Sequence, residues 1–286
     1  MSNIIILDSA MGSELINRGE ILPKHVWSAS VNTSNPDLVY QIHSDNIDAG
    51  AQVIITNTFR TTPRSYMKTG LNLKEANREA HASLISAINM AHKAATQDVL
   101  VLGSIAPLED CYQPKLFPGK NIAYNEYVQI GNWLYDEGVD GIIMETMNNI
   151  AETVVALKAL HSFKLPIYVS YHLHTANTLP SGESLNSAIS ILNKFKLEGL
   201  LFNCSPIEIM SDAVDNIVDM YSGKWGMYPN LGLGTPSPSG KIYNIVLDET
   251  FLMLMNKAIK NHVKYLGGCC GSSPRHIKLL NELYVI

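Results

Sequence analysis

The sequence predicts a (β/α)8 barrel of the TIM type, an α/β fold, and three observations predict it. Eight short apolar, β-branched runs recur along 286 residues, and each is followed by a stretch with helical spacing or by a loop. The runs are continuous rather than alternating, as parallel strands buried on both faces require. The turn after the first run, Asp8-Ser9-Ala10-Met11-Gly12, does not fit the G-x-G-x-x-G loop that would favour an open, doubly wound sheet.

Taken in order, the candidate strands are residues 4–7, ending at Asp8; 53–56, ending at Asn57; 99–103; 141–144; 167–171; 199–203; 225–228; and 263–266. Residues 73–95 carry Ala76, Ala80, Leu84, Ala87, Ile88 and Ala91 at helical spacing, and 151–160 and 187–195 are further helices. Gly50, Gly138 and Gly199 stand before strands as helix stop signals. Eight β-then-α units in this length make one barrel. With no linker or break in composition, the expected organisation is one domain over residues 1–286. The long stretch 230–243, after the seventh strand, holds Gly232, Gly234, Pro236, Pro238 and Gly240. A loop of this length is either functional or a mobile surface segment.

Hydrophobic residues make up 46% of the chain, enough for a sizeable core, and charged residues only 16%. A net charge of −5 with no long basic run leaves no footprint for nucleic acid. No apolar run approaches the roughly 20 residues that cross a bilayer. Residues 1–8 lack the basic start of a signal peptide. The four cysteines, Cys111, Cys204, Cys269 and Cys270, form no secreted disulfide framework, so a reducing cytoplasm is the simplest setting.

Three of those cysteines end strands. Cys204 closes the sixth, in Phe202-Asn203-Cys204-Ser205-Pro206, and Cys269 and Cys270 follow the eighth, in Gly267-Gly268-Cys269-Cys270-Gly271. In a barrel all strand C-termini open on the face that carries the active site. Adjacent cysteines converge on one ion only if the backbone bends, and the flanking glycines give it that freedom. Three thiolates with a fourth position open describe a catalytic zinc site, and soft sulfur ligands favour zinc over magnesium or calcium. A thiol substrate filling that position would ionise, and the thiolate is the nucleophile. Buried inert cysteines, or a disulfide from Cys204, are the alternatives. Cys111, in a loop between Pro107 and Pro114, falls outside the pattern.

Together these residues resemble the homocysteine S-methyltransferases, over nearly the whole chain. The resemblance is carried by residues 7–15 (LDSAMGSEL), Thr56-Asn57-Thr58-Phe59, Glu145-Thr146, Asn203-Cys204, Tyr228-Pro229-Asn230, and Gly267-Gly268-Cys269-Cys270-Gly271 followed by Pro274. It implies a Zn2+-bearing barrel with Cys204, Cys269 and Cys270 as ligands. It implies that Asp8 and the turn after it, Ser9, Ala10 and Met11, bind the amino-acid substrate together with Asn230. It also implies that Glu145 takes the homocysteine ammonium. Both acids end strands, where an amine is paired at the rim; the alternative is that they cap the helices that follow. Two positions depart from the family pattern: Ser9-Ala10 stands where many members have Gly-Gly or Gly-Ala, and Ser104-Ile105-Ala106-Pro107 lacks the glycine that often precedes the proline.

The partners expected are small molecules, homocysteine and a methyl donor. No cobalamin or folate domain accompanies the barrel, so the donor is a small onium compound, S-methylmethionine or S-adenosylmethionine before betaine. Aromatic faces hold such cations. Trp27, in His25-Val26-Trp27-Ser28, either stacks on the donor or anchors its loop. His172 and His174 share a face at the end of the fifth strand, and Phe59, Arg60 and Tyr228 are further rim residues; Arg60 could meet a substrate carboxylate. Rival readings are a barrel subunit working with a separate corrinoid protein, and a non-catalytic barrel that binds zinc or a thiol.

Overall fold

Eight strands lie where eight apolar runs stand in the sequence. In the computed structural model, which describes residues 4–234, 237 and 239–285, they are β1 (Ile5–Ile6), β2 (Val53–Ile55), β3 (Leu100–Ile105), β4 (Gly141–Met147), β5 (Ile167–Tyr171), β6 (Gly199–Pro206), β7 (Trp225–Asn230) and β8 (Tyr265–Leu266). Pro236 and Pro238 of the proline-rich stretch lie outside the described residues. The sheet order is β1-β8-β7-β6-β5-β4-β3-β2, every pairing is parallel, and a Leu7–Val53 bridge joins the two ends. The result is a (β/α)8 TIM barrel.

The core has two parts. Inside the barrel, Leu7, next after β1, and Val53, Leu102, Ile143, Tyr168, Leu201, Tyr228 and Tyr265, one from each of β2 to β8, pack together. Outside it, strand residues such as Ile54, Ile142, Val169 and Phe202 pack on the helices. Strands buried on both faces have no polar side to alternate with, which is why they read as continuous apolar runs.

Helices cover Leu73–Ala94, Ile150–Leu160 and Leu185–Leu192, within a few residues of expectation. The first starts at a capping box: Asn72 accepts from the Glu75 amide and Glu75 from the Asn72 amide. Between β1 and β2 the chain also forms helices at Met11–Asn17, Val31–Ser34 and Pro36–Asp48 and a 3-10 turn at Trp27–Ser30. The sequence had shown no helix there, because most of these pieces are too short for a periodic signal. No helix among the described residues is long and apolar enough to cross a membrane.

Four strands run past their expected ends at the C-terminal rim, and two of them do so through bulges. The β4–β5 register shifts between Met144 and Met147, and the β6–β7 register between Asn203 and Pro206. Thr146 (φ 54°) and Cys204 (φ 57°) adopt left-handed backbone there. A non-glycine residue in that region is held by its surroundings, and a bulge re-aims the side chain beside it.

Strand β8 ends at Leu266, as expected, yet the chain beyond stays tied to its neighbours. Gly268 N–H donates to Asp8 O and Cys269 N–H to Pro229 O. Of the three glycines expected to free this backbone, only Gly271 has positive φ, at 80°. Gly267 and Gly268 are required for room instead. A Cβ on Gly267 would lie 2.7 Å from Leu7 Cβ and 3.1 Å from Asp8 O, and one on Gly268 2.5 Å from Ser272 Oγ. The Gly267→Ala variant is therefore expected to force β1 and β8 apart and to lose about 1–3 kcal/mol of stability, read as a lower midpoint in urea unfolding.

Candidate metal centre and amine pocket

The bulge in β6 turns Cys204 toward the segment after β8. The sulfurs of Cys204, Cys269 and Cys270 all lie within 4.8 Å of one another, and Cys204 Sγ is 3.4 Å from Cys270 Sγ. All are free thiols. Tetrahedral zinc with thiolates at about 2.3 Å separates its sulfurs by about 3.8 Å, so these side chains fit such an ion. The segment is fixed from several sides: Leu231 N–H donates to Cys270 O, Gly271 N–H to Ser13 Oγ, and Ala10 N–H to Ser272 Oγ. Hydrogen bonds from Cys269 and Cys270 hold the Cys204 thiol well below its ordinary ionisation range, and the same bonds to Cys204, with burial, hold theirs well above it. Three thiolates coexist here only with a cation to share. Cys111 stands outside this trio; burial pushes its thiol up to about 12.

One buried amide links the thiols to the nearest carboxyl. Asn203 Oδ1 accepts from Thr146 N–H (2.9 Å) and Ser170 Oγ (2.7 Å), while its Nδ2 donates to Thr146 Oγ1 (2.8 Å). The side chain thus spans β6, β5 and β4 and locks both bulges, with Cys204 on one side and Glu145 on the other.

Two carboxyls face the same interior. Glu145 accepts from Ser104 Oγ at 2.5 Å and has the Tyr228 phenol near it. Burial raises its pKa to about 7, and those two hydroxyls hold it from rising further. Asp8 Oδ2 accepts from the Ile55 amide at 2.8 Å, and burial together with the charge of Glu145 holds it well above the usual carboxylate range. Neither acid caps a helix: the helix at Met11–Asn17 has Ala10 at its cap with no side-chain bond, and the helix after β4 is capped by Asn149. Two neighbouring acids, one raised by the other's charge, are relieved by one cation between them. The hydroxyl of Ser9 is buried without a hydrogen-bond partner among the described residues, which leaves it for a ligand.

The remaining expected residues have other neighbours. Ser9 N–H donates to Asn46 Oδ1, and Met11 packs in the cluster of Leu15 and Leu22. Trp27 belongs to the same cluster, between Gly12 and Gly240, where an added Cβ would touch its ring. Asn230 Oδ1 accepts from Gly232 N–H in a local turn. Arg60 donates to Glu109 O at 2.8 Å and lies over Phe59, tying down the loop after β3. His172 Nδ1 lies 3.3 Å from Ser205 Oγ, and His174 is exposed. One neighbour was missed: Tyr112, whose hydroxyl lies 3.3 Å from Cys204 Sγ. Nothing in the sequence marks it beyond its place in the loop after the third strand.

Fold and rim define a class, a TIM-barrel enzyme whose candidate site gathers three thiols, the buried Asp8 and the half-buried Glu145. The profile of the family described as Homocysteine S-methyltransferase matches residues 5–284. The Homocysteine S-methyltransferase of Escherichia coli (strain K12) is 25% identical, across 97% of this chain and 94% of that one. A Selenocysteine Se-methyltransferase of Brassica oleracea var. italica is also 25% identical, across 98% and 88%. The crystal structure of the homocysteine methyltransferase MmuM from Escherichia coli in its metallated form superimposes with a TM-score of 0.84 at 24% identity, across 98% of this chain and 96% of that one. This chain belongs to the homocysteine S-methyltransferase family, enzymes that transfer a methyl group to homocysteine.

Two predictions follow from the clamp and the carboxyls. Asn203→Ala strands Thr146 N–H, Thr146 Oγ1 and Ser170 Oγ in the interior; it is expected to cost about 1–3 kcal/mol and to weaken metal uptake and acceptor binding together, measured by chelator competition and calorimetry. For Glu145, folding raises the pKa to about 7. The folded state therefore binds the extra proton, and stability from this group falls as pH rises from the unfolded value, about 4.3, toward 7. An ammonium group docked on Glu145 would have the opposite slope, since it would need the carboxylate. If Glu145 receives the acceptor's ammonium, as the resemblance implies, acceptor affinity is expected to drop as pH falls below 7, and Glu145→Gln to flatten that profile while weakening binding by about tenfold or more.

Proposed function

We propose that the chain moves a methyl group from a small onium donor, a sulfonium such as S-methylmethionine or S-adenosylmethionine, to homocysteine, forming methionine, with Zn2+ on Cys204, Cys269 and Cys270. The observation that carries this reading is the meeting of three sulfurs within 4.8 Å of one another with a rim that also holds Asp8 and Glu145, both raised by burial. Bound zinc would supply the positive charge that lets a thiol ionise near neutral pH.

The other tasks fall to the protein. Asp8 and Glu145 receive the acceptor's ammonium. The turn of Ser9, Ala10 and Met11, with Asn230, orients its amino-acid end. The acceptor sulfur's lone pair forms the new S–C bond as the donor's bond to methyl breaks, its electrons leaving on a now neutral thioether; the acceptor's proton goes to solvent. Donor and acceptor held in line account for most of the rate, with no side chain required as a general base. An aromatic face suits a cationic donor, and Trp27, half-buried beside Gly12 and Gly240, is the residue we put forward for it. A selenol acceptor is a second reading, supported by the relative that bears a selenocysteine methyltransferase name.

Cys269→Ala is expected to lose both zinc, by elemental analysis, and methionine formation. Purified protein given homocysteine with S-methylmethionine, S-adenosylmethionine or betaine in turn identifies the donor. Full activity without metal, or methionine only after a corrinoid protein is added, would overturn the proposal.

A further inference from the structure

A site built this way has a selectivity problem of its own. The acceptor to be methylated is a thiolate, and so, with a cation bound, are Cys204, Cys269 and Cys270. Methyl transfer to any of the three would leave a neutral thioether and a broken ligand set, because thiolate is both the nucleophile and the metal ligand. The protein's sulfurs must therefore be poorer nucleophiles than the acceptor's.

The loop after β3 supplies a device for this. Tyr112 OH lies 3.3 Å from Cys204 Sγ, and among the described residues it is the one hydroxyl found against the three sulfurs. A phenol is protonated at neutral pH and a ligand thiolate has no proton to give, so the phenol is the donor. The contact is built rather than incidental, although Tyr112 is 54% exposed. Its N–H donates to Asp110 Oδ1 at 3.0 Å, and Asn148 Nδ2 holds the carbonyl of the preceding residue, Cys111, at 2.9 Å. Its ring stands edge-on to His172, with centroids 5.3 Å apart and planes at 87°, and His172 is in turn held by Ser205.

We propose that Tyr112 is a positioning residue that acts through Cys204: its hydrogen bond withdraws electron density from the Cys204 sulfur and keeps that ligand from being alkylated in place of the acceptor. Outer hydrogen bonds tune metal-ligating groups in this manner. The proposal rests on the zinc–thiolate reading and adds to it a reason why the enzyme's own sulfur survives.

The test uses zinc-loaded protein with iodoacetamide and neither substrate, so that failure of methyl transfer does not enter. The sulfur forms a bond to the reagent's methylene carbon as iodide leaves, and peptide mass spectrometry locates the product. Zinc content is measured first; wild-type protein that takes up no zinc overturns the parent reading and this one with it. With zinc in place, Tyr112→Phe is expected to raise the alkylation rate at Cys204 by about tenfold with little change at Cys269 and Cys270. With Co2+ in place of zinc, the same variant is expected to move the sulfur-to-metal charge-transfer band to longer wavelength, the mark of a more electron-rich thiolate. Equal Cys204 rates and an unshifted band in Tyr112→Phe overturn the proposal. So does a rise seen only in Tyr112→Ala, which would make the ring a steric shield.

Discussion

The geometry of the rim depends on one buried primary amide. Asn203 crosses the top of the barrel from β6 to β4, passing Ser170 of β5, and its three hydrogen bonds satisfy groups that two bulges would otherwise leave open. Both left-handed residues of the rim, Thr146 and Cys204, sit against this clamp. Backbone in that region survives only where the surroundings over-determine it. The first thiol and the upper carboxyl are consequently set by a single side chain, and their separation is fixed by hydrogen bonds rather than by loops.

Beneath the clamp the barrel interior is a packed plug, with one large apolar or aromatic side chain from each strand. Tyr228 belongs to that plug and also presents its phenol toward Glu145. Burial against this floor is the chief reason both acids are held above their ordinary range.

Much of this was legible in the sequence, and the boundary is instructive. Strands buried on both faces advertise themselves as continuous apolar runs, so the eightfold pattern and the rim position of Cys204 and Cys269 could be read directly. The glycines beside the cysteine pair were also visible, but their reason was not. A glycine kept for positive φ and one kept for room look alike in sequence, and only the approach of Leu7 to Gly267 distinguishes them. The bulges left no signal, since Met144-Glu145-Thr146-Met147 reads like any buried strand end. Arg60 looked available to a substrate and is engaged by the loop after β3 instead. Tyr112 reaches Cys204 across 92 positions, a separation that no local pattern encodes.

Asp8 has a second employment that bears on how its chemistry can be studied. The seam between β1 and β2 is the thinnest in the barrel, a single Leu7–Val53 bridge, and Asp8 extends it by standing in for a strand carbonyl opposite Ile55 N–H. The carboxylate is at once a wall of the pocket and a rung of the ladder that closes the cylinder. Removing it would open the seam as well as take away a charge, so loss of affinity in such a variant would mix two causes. Amide hydrogen exchange at Ile55 separates them: the rung can be followed independently of whatever occupies the pocket, and a bound cation that draws on the other carboxylate oxygen would be felt in the breathing of the barrel itself.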